Sequence, residues 1–307
     1  MAYTNDTAVA VLVQPPPVVA ELQALFGRLD DSPLLDALAG PTRRGPKGYP
    51  VRILWRCFVA KYVLGLGSTA ALLRTLRDNP FIAQACGVDS PEGIPHEATF
   101  SRFFARLSKY KTAAKLKDVS RSLVRDCYTN LPGFGERVAL DSTTLKGWVN
   151  GGKPAHSDRE AQWSVKKNTH GKTEFVLGWK LHLLVDCEYE LPIAANVTPG
   201  NSSDVKRASH MLREARVAVK GSFRPEYVMA DKGYSSRELR SLIRWQYWAT
   251  PVIDIPSGHK KALAAYAEQL TLPEFAALKK QRTAVERAFS RLKGQRSLNR
   301  ITTRGLR

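Results

Sequence analysis

The stretch Tyr227-Val-Met-Ala-Asp-Lys-Gly-Tyr-Ser-Ser236 decides the fold that the sequence predicts. Its first four residues form an apolar run that predicts a short buried strand, and Asp231 follows where this strand ends. Gly233 provides a tight turn, and Ser236 can cap a helix that continues to about Trp248. An acidic residue between a strand and a turn is a usual position for a functional site in an α/β fold. The alternative is an aspartate that serves the turn alone, because Asp is common in turns.

Two further acidic residues have surroundings that would let them meet Asp231. Asp141 lies inside Arg137–Leu145, a segment that predicts a strand and follows a long stretch of helical spacing. Glu286 lies on a predicted long C-terminal helix with an apolar stripe along one side. We therefore expect two aspartates on strands and one glutamate on a helix to approach one another.

The predicted C-terminal helix has the clearest start signal in the chain. The capping box Thr271-x-x-Glu274 marks its beginning. Arg282, Glu286 and Lys293 follow at spacings of four and seven residues, so their side chains project on the same side of the helix. Two cations therefore accompany the candidate carboxylate.

The elements between these acidic residues indicate one mixed sheet. Residues 147–172 are polar, Gly-rich and basic and predict an exposed loop. Glu174–Val185 and Glu190–Val197 then predict an antiparallel hairpin. Helices and strands alternate from there to the C-terminus, so the fold class is α/β: a mixed five-stranded sheet flanked by helices, preceded by an all-α N-terminal domain. In such a sheet the two aspartates can lie on adjacent strands, within reach of the glutamate.

Three converging carboxylates form a ligand set that suits the hard cations Mg²⁺ and Mn²⁺. Two such ions can activate a water or a 3′-hydroxyl and stabilise the leaving oxygen in phosphodiester chemistry. Without a metal the cluster would be unfavourable, because like-charged carboxylates repel one another.

The composition favours a polyanionic partner. The chain has 47 Lys and Arg against 28 Asp and Glu, a formal net charge of +19, and 43% hydrophobic residues. Nucleic acid is the leading candidate, whereas a membrane surface is disfavoured because the basic residues are dispersed. No apolar run approaches a membrane span, and the start of the chain lacks a signal peptide. The four cysteines are scattered, which argues against a disulfide framework or a zinc site.

The chain divides into three predicted parts. Residues 1–17 end in three prolines and predict a flexible arm. Residues 18–133 carry apolar residues at helical spacing and predict a helical domain. The break Leu131–Gly135 then marks the boundary to residues 134–307, the predicted catalytic domain.

One pair of helices in the N-terminal part has the outline of a helix-turn-helix. Residues 97–108 predict a helix with an aromatic face, and Arg102 and Arg106 lie elsewhere on its surface. A turn rich in Gly, Pro and Ser precedes it, as in helices that read DNA. An amphipathic helix with solvated arginines gives the same pattern, so base reading by Arg102 and Arg106 is one of two interpretations.

Several acidic and aromatic residues compete for functional roles. Asp204 predicts a helix N-cap, Asp186 a turn residue, and His182 a structural histidine in a strand. Asp158 remains a further acidic candidate. Three tryptophans could stack on an unpaired base, although packing in the core or the hairpin is the more common role of such residues: Trp148, Trp163 and Trp179.

In combination, these motifs resemble bacterial insertion-sequence transposases of the DDE type, whose catalytic core is ribonuclease H-like. The resemblance covers about residues 45–305. Arg282-x₃-Glu286-x₆-Lys293 is similar to the family's Tyr-x₂-Arg-x₃-Glu-x₆-Lys signature. The other stretches that carry the resemblance are Tyr49–Arg52, Ala98–Arg102, Val138–Thr143, Ser157–Trp163, Gly178–His182, Pro199–Asp204 and Ala230–Tyr234.

The resemblance implies an enzyme that binds the terminal inverted repeats of its element and performs DNA cleavage and strand transfer. Asp141, Asp231 and Glu286 are then the catalytic residues and the ligands of Mg²⁺ or Mn²⁺, with two ions expected. The partners implied are double-stranded DNA, both element ends and target, and a second copy of the chain in a homodimer, in the bacterial cytoplasm at the nucleoid. The residues implied to contact DNA are Arg282, Lys293, Lys232, Tyr234, Arg102 and Arg106.

The sequence departs from the family pattern in two places. Lys279 stands where the signature has tyrosine, and the chain continues for only 21 residues after Glu286, where relatives usually have a further helix. These departures keep two alternatives open. One is a catalytically inactive DNA-binding regulator from a truncated element. The other is a ribonuclease H-like nuclease or resolvase that cuts DNA without joining it.

Overall fold

A computed structural model of the chain describes residues 14–39, 48–149, 158–167, 172–258, 260–267, 270, 273–299 and 301. Most of the predicted arm, residues 1–13, lies outside these ranges, as does Thr271 of the predicted capping box.

The first half of the described chain is helical. Trp55 and Phe58 lie on the central α3, where the indole Nε1–H of Trp55 donates to buried Asp31 at 2.8 Å. Phe58 contacts Phe103 and Phe104 at ring-centroid distances of 6.1 and 5.7 Å, so the aromatic face predicted near residue 100 packs inward. The helices are α1 (Pro17–Arg28), α2 (Ser32–Ala39), α3 (Val51–Val63), α4 (Thr69–Asp78), α5 (Pro80–Ala85), α6 (Glu97–Leu107) and α7 (Tyr110–Asn130).

The second half is a mixed sheet with helices on both sides. Its strands are β1 (Arg137–Lys146), β2 (Gln162–Lys167), β3 (Thr173–Asp186), β4 (Pro192–Pro199), β5 (Tyr227–Ala230) and β6 (Thr250–Ile253). Its helices are α8 (Asp204–Ala218), α9 (Arg237–Tyr247), α10 (Lys260–Ala265), α11 (Pro273–Gln281) and α12 (Thr283–Gly294). Strand β3 pairs antiparallel with β1, β2 and β4, whereas β5 lies parallel between β1 and β6.

The five predicted strands are present in the order β4-β3-β1-β5-β6, but the described sheet has a sixth. The prediction of an exposed loop over residues 147–172 is therefore wrong for Gln162–Lys167, which forms β2. The alternation of Trp163 and Val165 with polar neighbours is too short to stand out among the basic residues around it. It becomes a strand because the 14-residue β3 extends past the end of β1 and offers its first half for pairing.

The predicted long C-terminal helix is two helices, which is a second correction. Around the break the backbone bonds span three residues: the N–H of Arg282 donates to Lys279 and the N–H of Val285 donates to Arg282. The hydroxyl of Thr283 also donates to the carbonyl of Lys280 at 2.9 Å. Such bonds tighten the helix and compete with its regular ladder, so α11 ends and α12 begins here.

The strands place alternate residues on opposite faces of the sheet. Val138 and Leu140 of β1 belong to the core under α8 and α9, whereas Ala139 belongs to the core under α11 and α12. Asp141 therefore points toward α12, and Ser142 points toward α8. The sheet thus separates two cores, one under α8 and α9 and the other under α11 and α12.

Among the described residues, contacts between the helical half and the sheet half include those between α7 and α8 and those after α12. Between α7 and α8, Arg121 pairs with Glu214 at 2.9 Å, and the Tyr128 hydroxyl donates to the carbonyl of Ser222 at 2.7 Å. After α12, Arg296 donates to the carbonyl of Tyr62 at 3.1 Å, and the Ser297 hydroxyl donates to the carbonyl of Gly65 at 3.0 Å. The division into an N-terminal and a catalytic domain stays a prediction. Across the described ranges, no helix has the length and apolar character needed to span a bilayer.

Candidate active site

The parallel pairing of β1 with β5 brings the two predicted aspartates to the same edge. The last pair in this register is Leu140 with Ala230, and the next residue on each strand is Asp141 and Asp231. Each carboxylate accepts a hydrogen bond from the N–H of the residue that follows it, at 2.7 Å in both cases. The two aspartates thus occupy equivalent positions on neighbouring strands.

Helix α12 brings the third carboxylate to the same edge. Val285 and Phe289 pack on the sheet, and the turn of helix between them carries Glu286 toward β1. Arg282 stands between the two elements: its guanidinium donates to Asp141 Oδ2 at 3.3 Å and to Glu286 Oε1 at 2.8 Å. The exposed fraction is 23% for the Asp141 side chain and 52% for that of Glu286, so the edge opens to solvent on the helix side.

The three carboxylates act on one another electrostatically. The pKa of Asp141 is raised to about 6, chiefly by burial, and the charges of Asp231 and Glu286 raise it further. The hydrogen bond from the Ser142 N–H and the charge of Arg282 act in the opposite direction. The charge of Asp141 is therefore disfavoured even with the guanidinium of Arg282 beside it, and further positive charge would favour it.

The donor set fits a divalent cation in its chemistry, because all three groups supply oxygen and their mutual repulsion is relieved by positive charge. In the described ranges, however, no group of three or more acidic, His or Cys side chains is drawn together closely enough to hold a metal ion. Arg282 supplies the positive charge between Asp141 and Glu286 instead.

The raised pKa of Asp141 predicts how stability depends on pH. In the unfolded chain an Asp titrates near 3.9, so between about pH 6 and pH 4 the folded protein binds a proton that the unfolded chain does not. Ionised Asp141 therefore destabilises the metal-free fold above pH 6, by roughly 2 kcal/mol after allowance for its partial exposure. In EDTA, Asp141→Asn should be more stable than the wild type by about this amount at pH 7.5.

Urea unfolding of both proteins at several pH values measures this difference. The advantage of Asp141→Asn should shrink as the pH falls from 6 to 4, because the wild-type carboxyl becomes neutral as well. An advantage that is constant over this range would contradict the raised pKa.

Besides Arg282, two of the residues predicted to contact DNA lie near the carboxylates. The Nζ of Lys293 on α12 donates to the hydroxyl of Thr143 at 2.5 Å, and Thr143 shares a face of β1 with Asp141. Lys232 directly follows Asp231 and is exposed in a 3₁₀ turn. The contact of these two cations with DNA stays a prediction.

The other predicted DNA contacts are placed differently. Tyr234 is only 3% exposed and packs in the core under α8 and α9, a position that does not fit contact with a DNA strand. Arg102 lies on the exposed surface of α6, where its guanidinium reaches Thr99 at 3.4 Å, and Arg106 lies on the same helix. Neither arginine contributes to the carboxylate edge.

The surroundings of the three tryptophans and of Asp186 are also visible in the structure. Trp179 is buried, whereas 59% of Trp148 and 46% of Trp163 are exposed. Asp186 serves the hairpin turn as predicted, because its carboxylate accepts from the N–H groups of Glu188 and Tyr189 at 3.0 and 2.7 Å.

The prediction of Asp204 as an N-cap is wrong. Ser203 occupies the cap position of α8, and the carboxylate of Asp204 turns toward the sheet. There it pairs with Lys180 at 3.2 Å and accepts from the Ser142 hydroxyl at 3.0 Å. Sequence reasoning missed this cluster, although Lys180 and His182 within the otherwise apolar run of β3 are a visible signal of it.

A sheet of this order, with acidic residues on β1 and after β5 where the pairing of these two strands ends, defines the class of protein: a ribonuclease H-like α/β fold behind a helical region. Residues 132–307 match the family model described as the transposase DDE domain, and residues 16–106 match a transposase domain (DUF772). The chain belongs to the family of transposases with a DDE domain. No curated protein sequence matches it.

Two solved structures resemble the chain at a distance. The piggyBac transposase synaptic complex with hairpin DNA shares 13% identity at a TM-score of 0.39, covering 87% of this chain and 56% of the piggyBac chain. The Mos1 strand transfer complex shares 13% identity at a TM-score of 0.25, covering 85% of this chain and 99% of the Mos1 chain. The chain therefore spans about half the length of the piggyBac transposase, and neither likeness bears on individual residues.

Proposed function

We propose that the chain is the transposase of a bacterial insertion sequence, which binds the terminal inverted repeats of its element and performs metal-dependent DNA cleavage and strand transfer. The observation that supports this most is the arrangement of the three carboxylates. Asp141 and Asp231 lie on neighbouring parallel strands where their pairing ends, and Arg282 bonds to both Asp141 and Glu286. Membership of the transposase DDE family is consistent with this chemistry.

Asp141, Asp231 and Glu286 would hold two Mg²⁺ or Mn²⁺ ions. When bound, such ions activate a water or a 3′-hydroxyl and stabilise the leaving oxygen of a phosphodiester. Within the chain, β1 and β5 fix two ligands on a rigid sheet, and α12 brings the third. Rigid supports of this kind keep ligands near the geometry that the reaction requires.

Arg282, Lys293 and Lys232 would bind the phosphates of the strand to be cut. Arg282 neutralises Asp141 and Glu286 in the metal-free protein and is released toward the DNA when a metal takes over that role. A guanidinium suits both partners, because its planar fork matches carboxylates and phosphates equally well. The net charge of +19 would hold the rest of the duplex by phosphate contacts.

The helical residues 18–133 would bind the element ends and contribute to a homodimer in the DNA complex. Arg102, which is exposed, and Arg106, which is partly buried, are the candidates on α6 for contact with the duplex in this part. Their role is separate from catalysis, because they lie on the N-terminal helices and not at the carboxylate edge.

The proposal is tested with purified protein, a labelled duplex that carries the element's end, and Mg²⁺ or EDTA. The wild type should cut the 3′ end in Mg²⁺ and join it to a second duplex, and Glu286→Gln should lose both activities by roughly 10³-fold. Glu274→Gln, which changes an exposed glutamate in the first turn of α11, is the matched control and should retain activity.

Three outcomes would speak against the proposal. Cleavage without joining would indicate a nuclease or resolvase. Binding of the duplex without cleavage in either metal would indicate a DNA-binding regulator. Full activity of Glu286→Gln would show that the reaction does not need the carboxylate of Glu286.

A further inference from the structure

A second polar cluster lies behind the carboxylate edge, on the opposite face of the sheet. It consists of Ser142, Lys180, His182, Asp204 and Tyr234, and we refer to it as the brace. It occupies the place where α8 begins, next to the apolar core that α8 forms with the rest of the sheet. Polar groups in such a place are costly unless they bond with one another.

Asp204 is the centre of the brace. One of its carboxylate oxygens accepts from the Ser142 hydroxyl at 3.0 Å, and both oxygens lie 3.2 Å from the Nζ of Lys180. Lys180 is held in addition by the carbonyl of Ser202 at 3.1 Å. The Nδ1 of fully buried His182 lies 3.7 Å from Asp204.

The brace touches both catalytic aspartates through their neighbours. Ser142 follows Asp141 in β1, and its N–H donates to the Asp141 carboxylate at 2.7 Å. Tyr234 closes the turn after Asp231, since its N–H donates to the Asp231 carbonyl at 2.9 Å. Burial first, and then the charges of Asp141 and Asp204, raise the pKa of the Tyr234 hydroxyl, so this hydroxyl lies within their field.

The strands hold each aspartate, but the pairing of β1 with β5 does not extend to the aspartates themselves. The parallel register of β1 and β5 ends at Leu140 and Ala230, one residue before Asp141 and Asp231. Beyond that pair the two chains separate, β1 continuing as a strand and β5 turning into the 3₁₀ turn. On the face behind the aspartates, α8 packs against both β1 and the 3₁₀ turn, and the brace lies at this contact.

We propose that Asp204 is a positioning residue for the carboxylate site: through Ser142 on one side and the packing of Tyr234 on the other, it sets the separation of Asp141 and Asp231. The inference rests on the proposed function, because the separation matters only if the two aspartates share a metal. Outer-sphere partners that orient ligands typically change metal affinity by about 10–100-fold when they are lost. Asp204 should therefore affect metal affinity more than it affects DNA binding.

The test measures Mn²⁺ binding by electron paramagnetic resonance, with and without the duplex, together with thermal unfolding and duplex affinity. Asp204→Ala and Ser142→Ala should each weaken Mn²⁺ binding by about tenfold or more and leave duplex affinity unchanged. Ser142→Thr keeps the hydroxyl and should behave as the wild type. Glu214→Gln is the matched control, because Glu214 also lies on α8 in an ion pair, with Arg121, but away from the brace.

The outcomes separate this inference from the proposed function. Wild-type binding of Mn²⁺ that Asp231→Asn removes supports the metal site itself, whatever Asp204 does. A lower melting temperature of Asp204→Ala with unchanged Mn²⁺ affinity would make the brace structural and overturn the inference. Loss of Mn²⁺ binding in Asp204→Ala as complete as in Asp231→Asn would make Asp204 a ligand, which also overturns it.

Discussion

Asp231→Asn is expected to lose metal-dependent cleavage by roughly 10³-fold or more, the equivalent of about 4 kcal/mol of transition-state stabilisation. The amide keeps the size of the side chain but removes the charge that a divalent ion requires. The stability of the fold should hardly change, because Asp231 is exposed and its carboxylate bonds only to the N–H of Lys232 among the contacts described. Single-turnover cleavage of a labelled duplex, with a binding assay on the same duplex, measures both effects.

Asp254 provides a matched control for this variant. It follows Ile253 at the end of β6, just as Asp231 follows Ala230, and these two strand ends are paired in the sheet. Its carboxylate is already neutralised by Lys279 at 2.5 Å. Asp254→Asn should therefore cut DNA like the wild type. Equal losses in the two variants would mean that the position at a strand end, and not the carboxylate of Asp231, causes the effect.

Phe289→Ala should have the largest effect on stability, about 3–5 kcal/mol of the free energy of unfolding. Phe289 is 7% exposed and packs with Leu183, Met229 and Val285 between α12 and the sheet. Its removal leaves a cavity that the rigid sheet cannot fill. Because α12 also carries Glu286, the loosened helix should lower cleavage more than it lowers duplex affinity.

Urea unfolding followed by circular dichroism measures the loss, with Phe175→Ala as the control. Phe175 lies on β3 with 65% of its surface exposed, so the same truncation should cost about 0.5 kcal/mol or less. A loss for Phe289→Ala that is as small as this would show that other contacts hold α12. The pairs of Arg287 and Arg291 with Glu190 are the first candidates for that role.

Local patterns predicted the elements that carry the aspartates. The run Tyr227–Ala230 forms β5, and Ser236 caps α9 as expected, its hydroxyl oxygen accepting from the N–H of Leu239 at 3.0 Å. These features depend on residues that are close in sequence. The strand that carries Asp141 was likewise predicted from its local pattern. Its position next to β5 follows only once the order of the strands in the sheet is known.

The features that sequence reasoning missed depend on partners that are distant in sequence. The guanidinium of Arg282 reaches Asp141 only because α12 packs on one face of β1, 141 residues away along the chain. Tyr234 looks like a surface contact beside Asp231, but the 3₁₀ turn directs its ring into the core. The ion pair of Lys180 with Asp204 likewise requires β3 and the start of α8 to meet. Contacts between segments that are distant in sequence produce no periodic pattern within either segment, so these contacts could not be predicted from local patterns.

Helix α12 connects the two halves of the chain, because it packs on the sheet and the residues that follow it bond to the N-terminal helices. Glu286 lies near its start, and roughly 12 Å of helix, at about 1.5 Å per residue, separates this residue from the last helical one, Gly294. Just beyond, the side chains of Arg296 and Ser297 donate hydrogen bonds to the carbonyls of Tyr62, at the end of α3, and Gly65, in the turn that follows. Since a helix transmits displacement along its length, a shift of that turn would also move Glu286. The position of this carboxylate and the arrangement of the N-terminal helices are therefore mechanically coupled.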